Sequence, residues 1–388
     1  MYNFDKVIER RHTNSVKYDG EKMKDSLMIP MWVADMDFET LPEVKEALLK
    51  RAEHGIFGYA GVSDNYCQAV INWMETRHHF HIQKEWIVPT PGVVTALKLA
   101  VRALTKPEDH IMIMKPVYYP FDISINVNGR QVVECPLVLE NNQYTCDFHL
   151  FEKNIVENDV KMFILCNPHN PIGKVWTKDE LYQMGMICKK HHVYVISDEI
   201  HMDFVYQGHV HVPFYNVDES FKDFTINCTA PSKTFNLAAL QTSNIIIADE
   251  KMREAFIKEK DASGVNNPNI FGLDACEAAY TYGAKWVDEL IEYLSGNIDY
   301  MIQFFKERLP EIKVIQPEGL YLVWVDMRSL NMSHEELEAF MLNQAHLWLD
   351  EGYIFGTGGE GFERFNVACP REILKNALEQ LEKAIRAR

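Results

Sequence analysis

The chain is short of basic residues, and this shortage limits what its surface binds. Its 388 residues include 39 Lys and Arg against 56 Asp and Glu, which gives a net charge of −17. Sequence-independent binding to nucleic acids or anionic membranes requires basic surface. The composition therefore argues against nucleic-acid and membrane partners.

Long apolar runs are also missing. The longest ones have the length of strands, such as 193–196, 245–248 and 320–325, whereas a membrane helix needs about 20 apolar residues. The first six residues, MYNFDK, lack the apolar core of a secretory signal. We therefore expect a cytoplasmic protein without a membrane span.

Metal-binding and disulfide patterns are absent as well. The eight cysteines are scattered and form no CxxC motif, so we expect free thiols in the core rather than a disulfide framework or a zinc ribbon. The histidines at 78, 79, 81, 191, 192, 209 and 211 have no Cys or carboxylate at ligand spacing. This pattern predicts surface histidines and no metal site.

What is present predicts a two-domain α/β protein. A chain of this length with 47% hydrophobic residues suits one large domain with a smaller one attached. Apolar strands and helices alternate from about residue 85 to residue 248, which is typical of a largely parallel sheet covered on both faces. Within this region we predict strands at 85–88, 110–115 and 160–166 and helices at 148–157 and 177–191, the last begun by a capping box of Thr177 and Glu180. Beyond it we predict a helical stretch at about 271–309 and a strand at 365–368. We place an N-terminal segment at 1–45, a large domain at 46–285 and a small α+β domain at 286–388.

Polar residues stand at the ends of four predicted strands. Asn170, Asp198 and Lys233 lie beyond three of them, and Gly92 begins a helix after the fourth. Ligands of parallel sheets bind beyond the carboxyl ends of the strands. A buried carboxylate is costly without a partner, and a buried lysine is a candidate for covalent chemistry. Taken singly, each of these loops also fits a purely structural role.

As a set, these residues match the needs of a pyridoxal phosphate site. A lysine binds the aldehyde of the cofactor, an aspartate keeps its ring nitrogen protonated, and an asparagine bonds its ring hydroxyl. The start of a helix binds its phosphate. The sequence offers these four groups at the ends of successive predicted strands. Along the chain they occur in the order that such a site requires, Gly92, Asn170, Asp198 and Lys233.

Four segments carry a resemblance to a known family: PMWVADMDF (30–38), PVYYPF (116–121), SDEIH (197–201) and RFNVACP (364–370). The chain resembles, over essentially its whole length, the fold-type I pyridoxal-phosphate enzymes of the class I/II aminotransferase group. Within that group it resembles the cystathionine β-lyases or C–S lyases of the MalY/PatB type. The resemblance implies an α/β fold, with a mainly parallel seven-stranded sheet in the large domain.

The resemblance also implies roles around the cofactor ring. Lys233 would be the covalent lysine and the acid–base group, Asp198 the partner of the ring nitrogen, and Asn170 the partner of the ring oxygen. Tyr118 would stack on the ring and belong to the catalytic residues. Tyr119 is the less favoured choice for the stacking position.

Phosphate and substrate contacts are implied in the same way. The backbone amides of Gly92, Val93 and Val94 would bind the phosphate, with the Ser232 hydroxyl added. Tyr59 would reach the phosphate of the partner subunit, which implies a homodimer with a shared active site.

On the substrate side, Arg364 would bind the α-carboxylate through two parallel hydrogen bonds. Tyr119 and Trp32 would contact the substrate. The aromatic segment 32–38 that contains Trp32 fits plain packing as well as an active-site wall.

Three positions depart from the aminotransferase pattern. His201 stands where aminotransferases usually have a tyrosine, and we expect it next to the cofactor. Gln241 replaces an arginine that is often found at its position, and Ala230 replaces a frequent serine. These departures favour a lyase that acts by β-elimination. It would convert L-cystathionine, L-cysteine and related S-substituted cysteines to pyruvate, ammonia and homocysteine or hydrogen sulfide. A pyridoxal-phosphate aminotransferase is the alternative.

Two further readings receive little support. The run 356–361 matches GxGxxG, but a strand is predicted after it where a dinucleotide fingerprint requires a helix. A flexible loop that presents Arg364 is the better interpretation. A protein that acts only by binding a partner does not need an intact set of Lys233, Asp198 and Arg364.

Overall fold

The computed structural model describes residues 2–23 and 25–388. Its strands are β1 (Ile29–Pro30), β2 (Ile87–Thr90), β3 (His110–Lys115), β4 (Gln131–Pro136), β5 (Val138–Glu140), β6 (Gln143–Thr145), β7 (Val160–Cys166), β8 (Tyr194–Asp198), β9 (Thr225–Thr229), β10 (Ser243–Ile246), β11 (Lys313–Val314), β12 (Leu322–Asp326), β13 (Leu347–Trp348), β14 (Asp350–Glu351) and β15 (Phe362–Asn366). Its helices are α1 (Pro42–His54), α2 (Asp64–His78), α3 (Val93–Leu104), α4 (Pro120–Asn126), α5 (Phe148–Glu157), α6 (Lys178–Lys190), α7 (Pro231–Thr234), α8 (Glu250–Ala262), α9 (Ile270–Tyr282), α10 (Ala284–Arg308), α11 (His334–Asn343) and α12 (Arg371–Arg386).

A sheet of seven strands forms the larger part of the fold, in the order β2-β10-β9-β8-β7-β3-β4. All neighbours from β9 to β4 are parallel, and β10 runs antiparallel to β2 and β9. Its central strands β7, β8 and β9 are almost wholly buried because both faces are covered. In β7, Ile164 packs on one face with residues of α3, and Phe163 packs on the other face with residues of α5 and α6. The predicted mainly parallel seven-stranded sheet is confirmed.

The register of this sheet aligns the strand ends that carry the candidate residues. Since α3, α7 and the loop after β7 all begin at this edge, their first residues face a common space. The Cα pairs along the edge are Thr90 with Ser243, Asn244 with Thr229, Cys228 with Asp198, and Asp198 with Cys166.

A second, antiparallel sheet has the order β11-β12-β15-β14. In this sheet Arg364 is the cross-strand partner of Trp324 on one side and of Asp350 on the other. Directly opposed residues lie on the same face of a sheet. The register therefore places a buried cation and a buried carboxylate side by side.

The N-terminal segment contacts this C-terminal part, because β1 pairs in parallel with β13. The helix α10 begins at Ala284, so the boundary predicted after residue 285 falls within its first turn. The domain limits 1–45, 46–285 and 286–388 stay predictions.

Several predicted elements differ from the structure. The strand predicted at 85–88 begins two residues later, because Lys84–Trp86 forms a 3₁₀ turn. The strand predicted at 365–368 is Phe362–Asn366. The helical stretch predicted at 271–309 is two helices that meet at Gly283, where a Cβ atom would collide with the ring of Phe235.

The histidine prediction is wrong for His211, which is buried and lies 3.0 Å through Nε2 from a carboxylate oxygen of the buried Glu199. The eight cysteines are buried with free thiols. Among the described residues, no helix has both the length and the apolar character that a membrane span needs. In the same part of the chain, no group of three His, Cys, Asp or Glu side chains is arranged to hold a metal.

Candidate active site

Lys233 lies in the short helix α7, directly beyond the end of β9. Its Nζ donates a hydrogen bond of 2.7 Å to the carbonyl of Ala34. Burial and the nearby charge of Arg364 lower the pKa of the Lys233 amine to about 8, against the opposing effect of Asp35 and Asp198. An amine with this pKa is partly unprotonated near neutral pH, which is the state that a nucleophile or a base requires.

Asp198 ends β8 and is only 4% exposed. In the described part of the chain its side chain has one hydrogen-bond donor, the N–H of Ile200 at 3.2 Å. Burial raises the pKa of this carboxyl to about 7, although the Ile200 N–H and the charge of Lys233 both act to lower it. A buried carboxylate with so few donors gains most from a cationic N–H group placed against it.

Arg364 and Asn170 connect the two sheets. The guanidinium of Arg364 donates from Nη1 to Oδ1 of Asn170 at 2.9 Å and from Nη2 to the carbonyl of Trp32 at 2.9 Å. Nη2 also forms an ion pair with Asp350. The Nε of Arg364 has no partner among the described residues. The arginine predicted for the substrate is thus held directly beside the asparagine predicted for the cofactor.

Two tyrosines follow β3 at the same edge. The backbone N–H of Tyr118 donates to the carbonyl of Asn170 at 3.1 Å, and the rings of Tyr118 and Tyr119 lie 5.5 Å apart. Burial raises the pKa of both phenols. Both hydroxyls therefore stay protonated at neutral pH and are available as hydrogen-bond donors.

Trp32 and His201 line the same region. The ring of Trp32 stacks on Trp348 with a centroid distance of 4.4 Å, while its backbone carbonyl binds Arg364. His201 is 3% exposed, and its Nδ1 has no partner in residues 2–23 and 25–388. Burial lowers the pKa of His201, and the charges of Lys233 and Arg364 lower it further. Its imidazole is therefore neutral at physiological pH.

The start of α3 offers an anion site. Gly92 has φ +93°, a conformation that favours glycine, and a Cβ placed on it would meet nothing within 4 Å. The space beside the Cα of Gly92 is therefore open, and the first amides of a helix, here those of Val93 and Val94, have no helical acceptor. Ser232, in α7, is partly buried. These features suit a phosphate group.

Tyr59 is fully exposed on the segment that follows α1. The single chain does not bury its side chain against any of the other predicted site residues. Its predicted contact with a partner subunit stays a prediction.

Sequence reasoning missed three contributors to the site. The carbonyl of Ala34 accepts hydrogen bonds from Lys233 and from the hydroxyl of Tyr321, the latter at 3.1 Å. The ring of Tyr321 lies 5.9 Å from that of His201, and Asp350 binds Arg364. Ala34 stands in the segment 30–38 that carried the resemblance, but a backbone contact leaves no signal in side-chain chemistry.

Comparisons with known proteins agree on the family. Residues 28–381 match the family described as aminotransferase class I and II. The chain is 42% identical to cystathionine beta-lyase PatB of Bacillus subtilis (strain 168), over 99% of this chain and 100% of that protein. It is 34% identical to protein MalY of Escherichia coli (strain K12), over 100% of both chains.

Solved structures agree on the fold. A PLP-bound putative aminotransferase from Clostridium difficile 630 superposes with a TM-score of 0.97 at 42% identity, covering 99% of this chain and 100% of the other. Cystalysin from Treponema denticola, which contains pyridoxal 5'-phosphate, superposes with a TM-score of 0.97 at 41% identity, covering 100% and 99%. The chain therefore has the fold-type I architecture and belongs to the aminotransferase class I and II family, with PatB and MalY among its relatives.

Proposed function

We propose that this protein is a pyridoxal-phosphate-dependent carbon–sulfur β-lyase. Its substrates are L-cystathionine, L-cysteine and related S-substituted cysteines, and its products are pyruvate, ammonia and a thiol, homocysteine or hydrogen sulfide. The observation that carries the proposal is the convergence of Lys233, Asp198 and the Asn170–Arg364 pair at one edge of the large sheet. The 42% identity to a cystathionine beta-lyase over the whole chain supports a lyase over an aminotransferase.

The residues present fit pyridoxal phosphate. Asp198 is a buried carboxylate with a single donor among the described residues, and a protonated ring nitrogen would supply a further one. The space beside Gly92 is open, and the phosphate would lie there against the start of α3. Lys233 would provide the amine for the covalent bond, and Tyr118 an aromatic face. When bound, the cofactor draws away the negative charge that forms on the substrate Cα.

The chain's own residues perform the remaining steps. Arg364 binds the α-carboxylate and so orients the Cα–H bond. The substrate amine would release Lys233 from its covalent bond, and the free Nζ, with its lowered pKa, would then remove the Cα proton. The Cβ–S bond then breaks and the sulfur leaves as a thiolate, which Lys233 or a tyrosine protonates. The aminoacrylate that remains is released, and water hydrolyses it to pyruvate and ammonia. Tyr118 and Tyr119 both keep their protons at neutral pH because burial raises their pKa.

Pyruvate formation tests the reaction. The purified holoenzyme is given L-cystathionine or L-cysteine without any keto acid, and pyruvate and thiol are measured over many turnovers. Steady formation of both supports the lyase. Amino-group transfer that appears only when a keto acid is added, with no pyruvate before it, would make the protein an aminotransferase.

The proposal includes a cytoplasmic homodimer whose active sites are shared between subunits. Ile56, Phe57 and Tyr59 are all exposed on the segment after α1, where a second copy would cover them. The free, buried thiols are typical of a reducing compartment, which supports the cytoplasm.

Subunit mixing tests the shared site. A Tyr59→Ala subunit keeps Lys233, and a Lys233→Ala subunit keeps Tyr59, so a mixed dimer contains one complete site only if Tyr59 acts across the interface. We expect activity to return when the two impaired variants are unfolded and refolded together. No recovery in mixed dimers would place Tyr59 outside the partner's site.

A further inference from the structure

A carboxylate of the chain itself already binds the arginine that would hold the substrate. Asp350, in β14, is the direct cross-strand partner of Arg364, in β15, and accepts a hydrogen bond from its Nη2. Asp350 is 5% exposed and Arg364 is 2% exposed. In such a buried pair both charges have lost their water, and each depends on the other for compensation.

The other partners of Arg364 are neutral. Nη1 binds the amide oxygen of Asn170, and Nη2 also binds the backbone carbonyl of Trp32. Within the described residues, Asp350 is the sole carboxylate that forms a salt bridge with this guanidinium. An incoming α-carboxylate therefore meets a cation whose charge is already balanced.

We propose that Asp350 sets the affinity of the pocket for amino acids by competing with the substrate α-carboxylate for Arg364. The inference rests on the proposed function only in that Arg364 binds this carboxylate. Asp350 is a positioning residue: it holds the guanidinium in place in the free protein. Two anions on one buried cation repel each other, so the substrate gains less binding free energy than a lone arginine would provide.

The neighbouring carboxylate offers a matched control. Glu351 is next in sequence, but its cross-strand partner is Glu363 and its ion-pair partner is Lys22, at 2.8 Å. Successive residues of a strand point to opposite faces. Loss of charge at Glu351 therefore leaves the face that carries Arg364 unchanged.

The test measures ligand binding without turnover. The dissociation constant of L-alanine, which has an α-carboxylate but no β-leaving group, is followed by the absorbance of the holoenzyme. We expect Asp350→Asn to lower this constant about tenfold, while Asp350→Glu, which keeps the charge, and Glu351→Gln do not lower it. L-Alaninamide, which lacks the carboxylate, should bind the parent and the three variants with equal affinity. In the lyase assay, Asp350→Asn should lower KM while kcat changes little.

Unchanged or weaker binding of L-alanine by folded Asp350→Asn would overturn the proposal. If this variant does not fold, the smaller uncharged Asp350→Ser provides the same test, and failure of both to fold would assign Asp350 to the fold and reject its role in affinity. Arg364→Lys tests separately whether Arg364 binds the α-carboxylate. If this variant binds L-alanine with the affinity of the parent, Arg364 is not the carboxylate site and the inference about Asp350 fails. Absence of pyruvate in the parent protein would overturn the lyase alone, because the alanine titration requires no elimination.

Discussion

Charged side chains have different partners in two parts of the molecule, at the strand-end edge of the large sheet and on the face of the small sheet. Among the residues that the structure describes, Asp198 at the edge has one N–H donor and Lys233 one carbonyl acceptor. The pKa of Asp198 is raised to about 7 and that of Lys233 is lowered to about 8. In the small sheet, Arg364 is balanced by Asp350. The two charged groups at the edge are therefore left with room for partners that a ligand would supply, whereas in the small sheet the charge of Arg364 is already paired.

The same contrast occurs between two adjacent residues. Asp198 and Glu199 are both buried, but Glu199 accepts hydrogen bonds from the Ser197 hydroxyl at 2.7 Å and from the Phe214 N–H at 2.9 Å, and it contacts Nε2 of His211 at 3.0 Å. Within the described residues, the Glu199 side chain thus has three partners and the Asp198 side chain one. This difference favours Asp198 over Glu199 as the carboxylate that would contact a ligand.

The largest effect is expected from Lys233→Ala, which removes the amine from the edge. Turnover should fall about 10⁴-fold, because both the covalent bond and the base are lost. The check is pyruvate release together with the absorbance of the covalently bound cofactor. Lys260→Ala is the matched control, since burial lowers the pKa of Lys260 as it does that of Lys233, but Lys260 lies in α8, and it should keep both signals. Retained turnover in Lys233→Ala would remove Lys233 from the mechanism.

Asp198→Asn should change how the stability of the cofactor-free protein depends on pH. The pKa of Asp198 is raised in the folded state, so its neutral form stabilises the fold below about pH 4, and this contribution is lost as the pH rises through 7. The parent should therefore lose up to about 4 kcal/mol relative to the variant between these limits, at about 1.4 kcal/mol per pKa unit. Denaturant unfolding at several pH values measures the difference.

Glu199→Gln tests the neighbouring carboxylate in the comparison of Asp198 with Glu199. It disturbs a carboxylate whose partners are already in place, so it should destabilise the fold by about 1–3 kcal/mol. A stabilising effect of Glu199→Gln at pH 7, or a destabilising effect of Asp198→Asn there, would break the distinction between the two carboxylates.

Arg364→Lys should raise KM about 100-fold, because a lysine cannot form two parallel hydrogen bonds to a carboxylate. Steady-state kinetics with L-cystathionine measures this effect. Arg328→Lys, at an exposed arginine that pairs with Asp326, is the control and should leave KM unchanged. An equal change in the two variants would argue against a carboxylate site at Arg364.

The smallest effect is expected from Ser232→Ala at the proposed phosphate site. Loss of one hydrogen bond of about 1 kcal/mol should raise the dissociation constant of the cofactor about fivefold. Equilibrium dialysis of the protein against pyridoxal phosphate measures it. Ser329→Ala, at an exposed serine outside the site, serves as the reference, and identical values would exclude the hydroxyl from phosphate binding.

Local patterns predicted much of the fold. The helix 148–157 and the strands 110–115 and 160–166 have the predicted limits, because apolar periodicity and flanking polar residues mark them clearly. The capping box of Thr177 and Glu180 begins α6 as expected. The hairpin of β5 and β6 was not predicted, since its pairs form between short segments without a strong pattern of their own.

The sequence by itself determined the chemistry and chain order of Lys233, Asp198 and Asn170, because polar residues at the ends of apolar strands are visible in one dimension. Only the tertiary structure decided that the carbonyl of Ala34, 199 residues away, accepts the hydrogen bond of Lys233. It also decided that Asp350 balances Arg364. These contacts arise from strand register and from packing between distant segments, and charge balance inside a protein depends on distance in space rather than on distance along the chain.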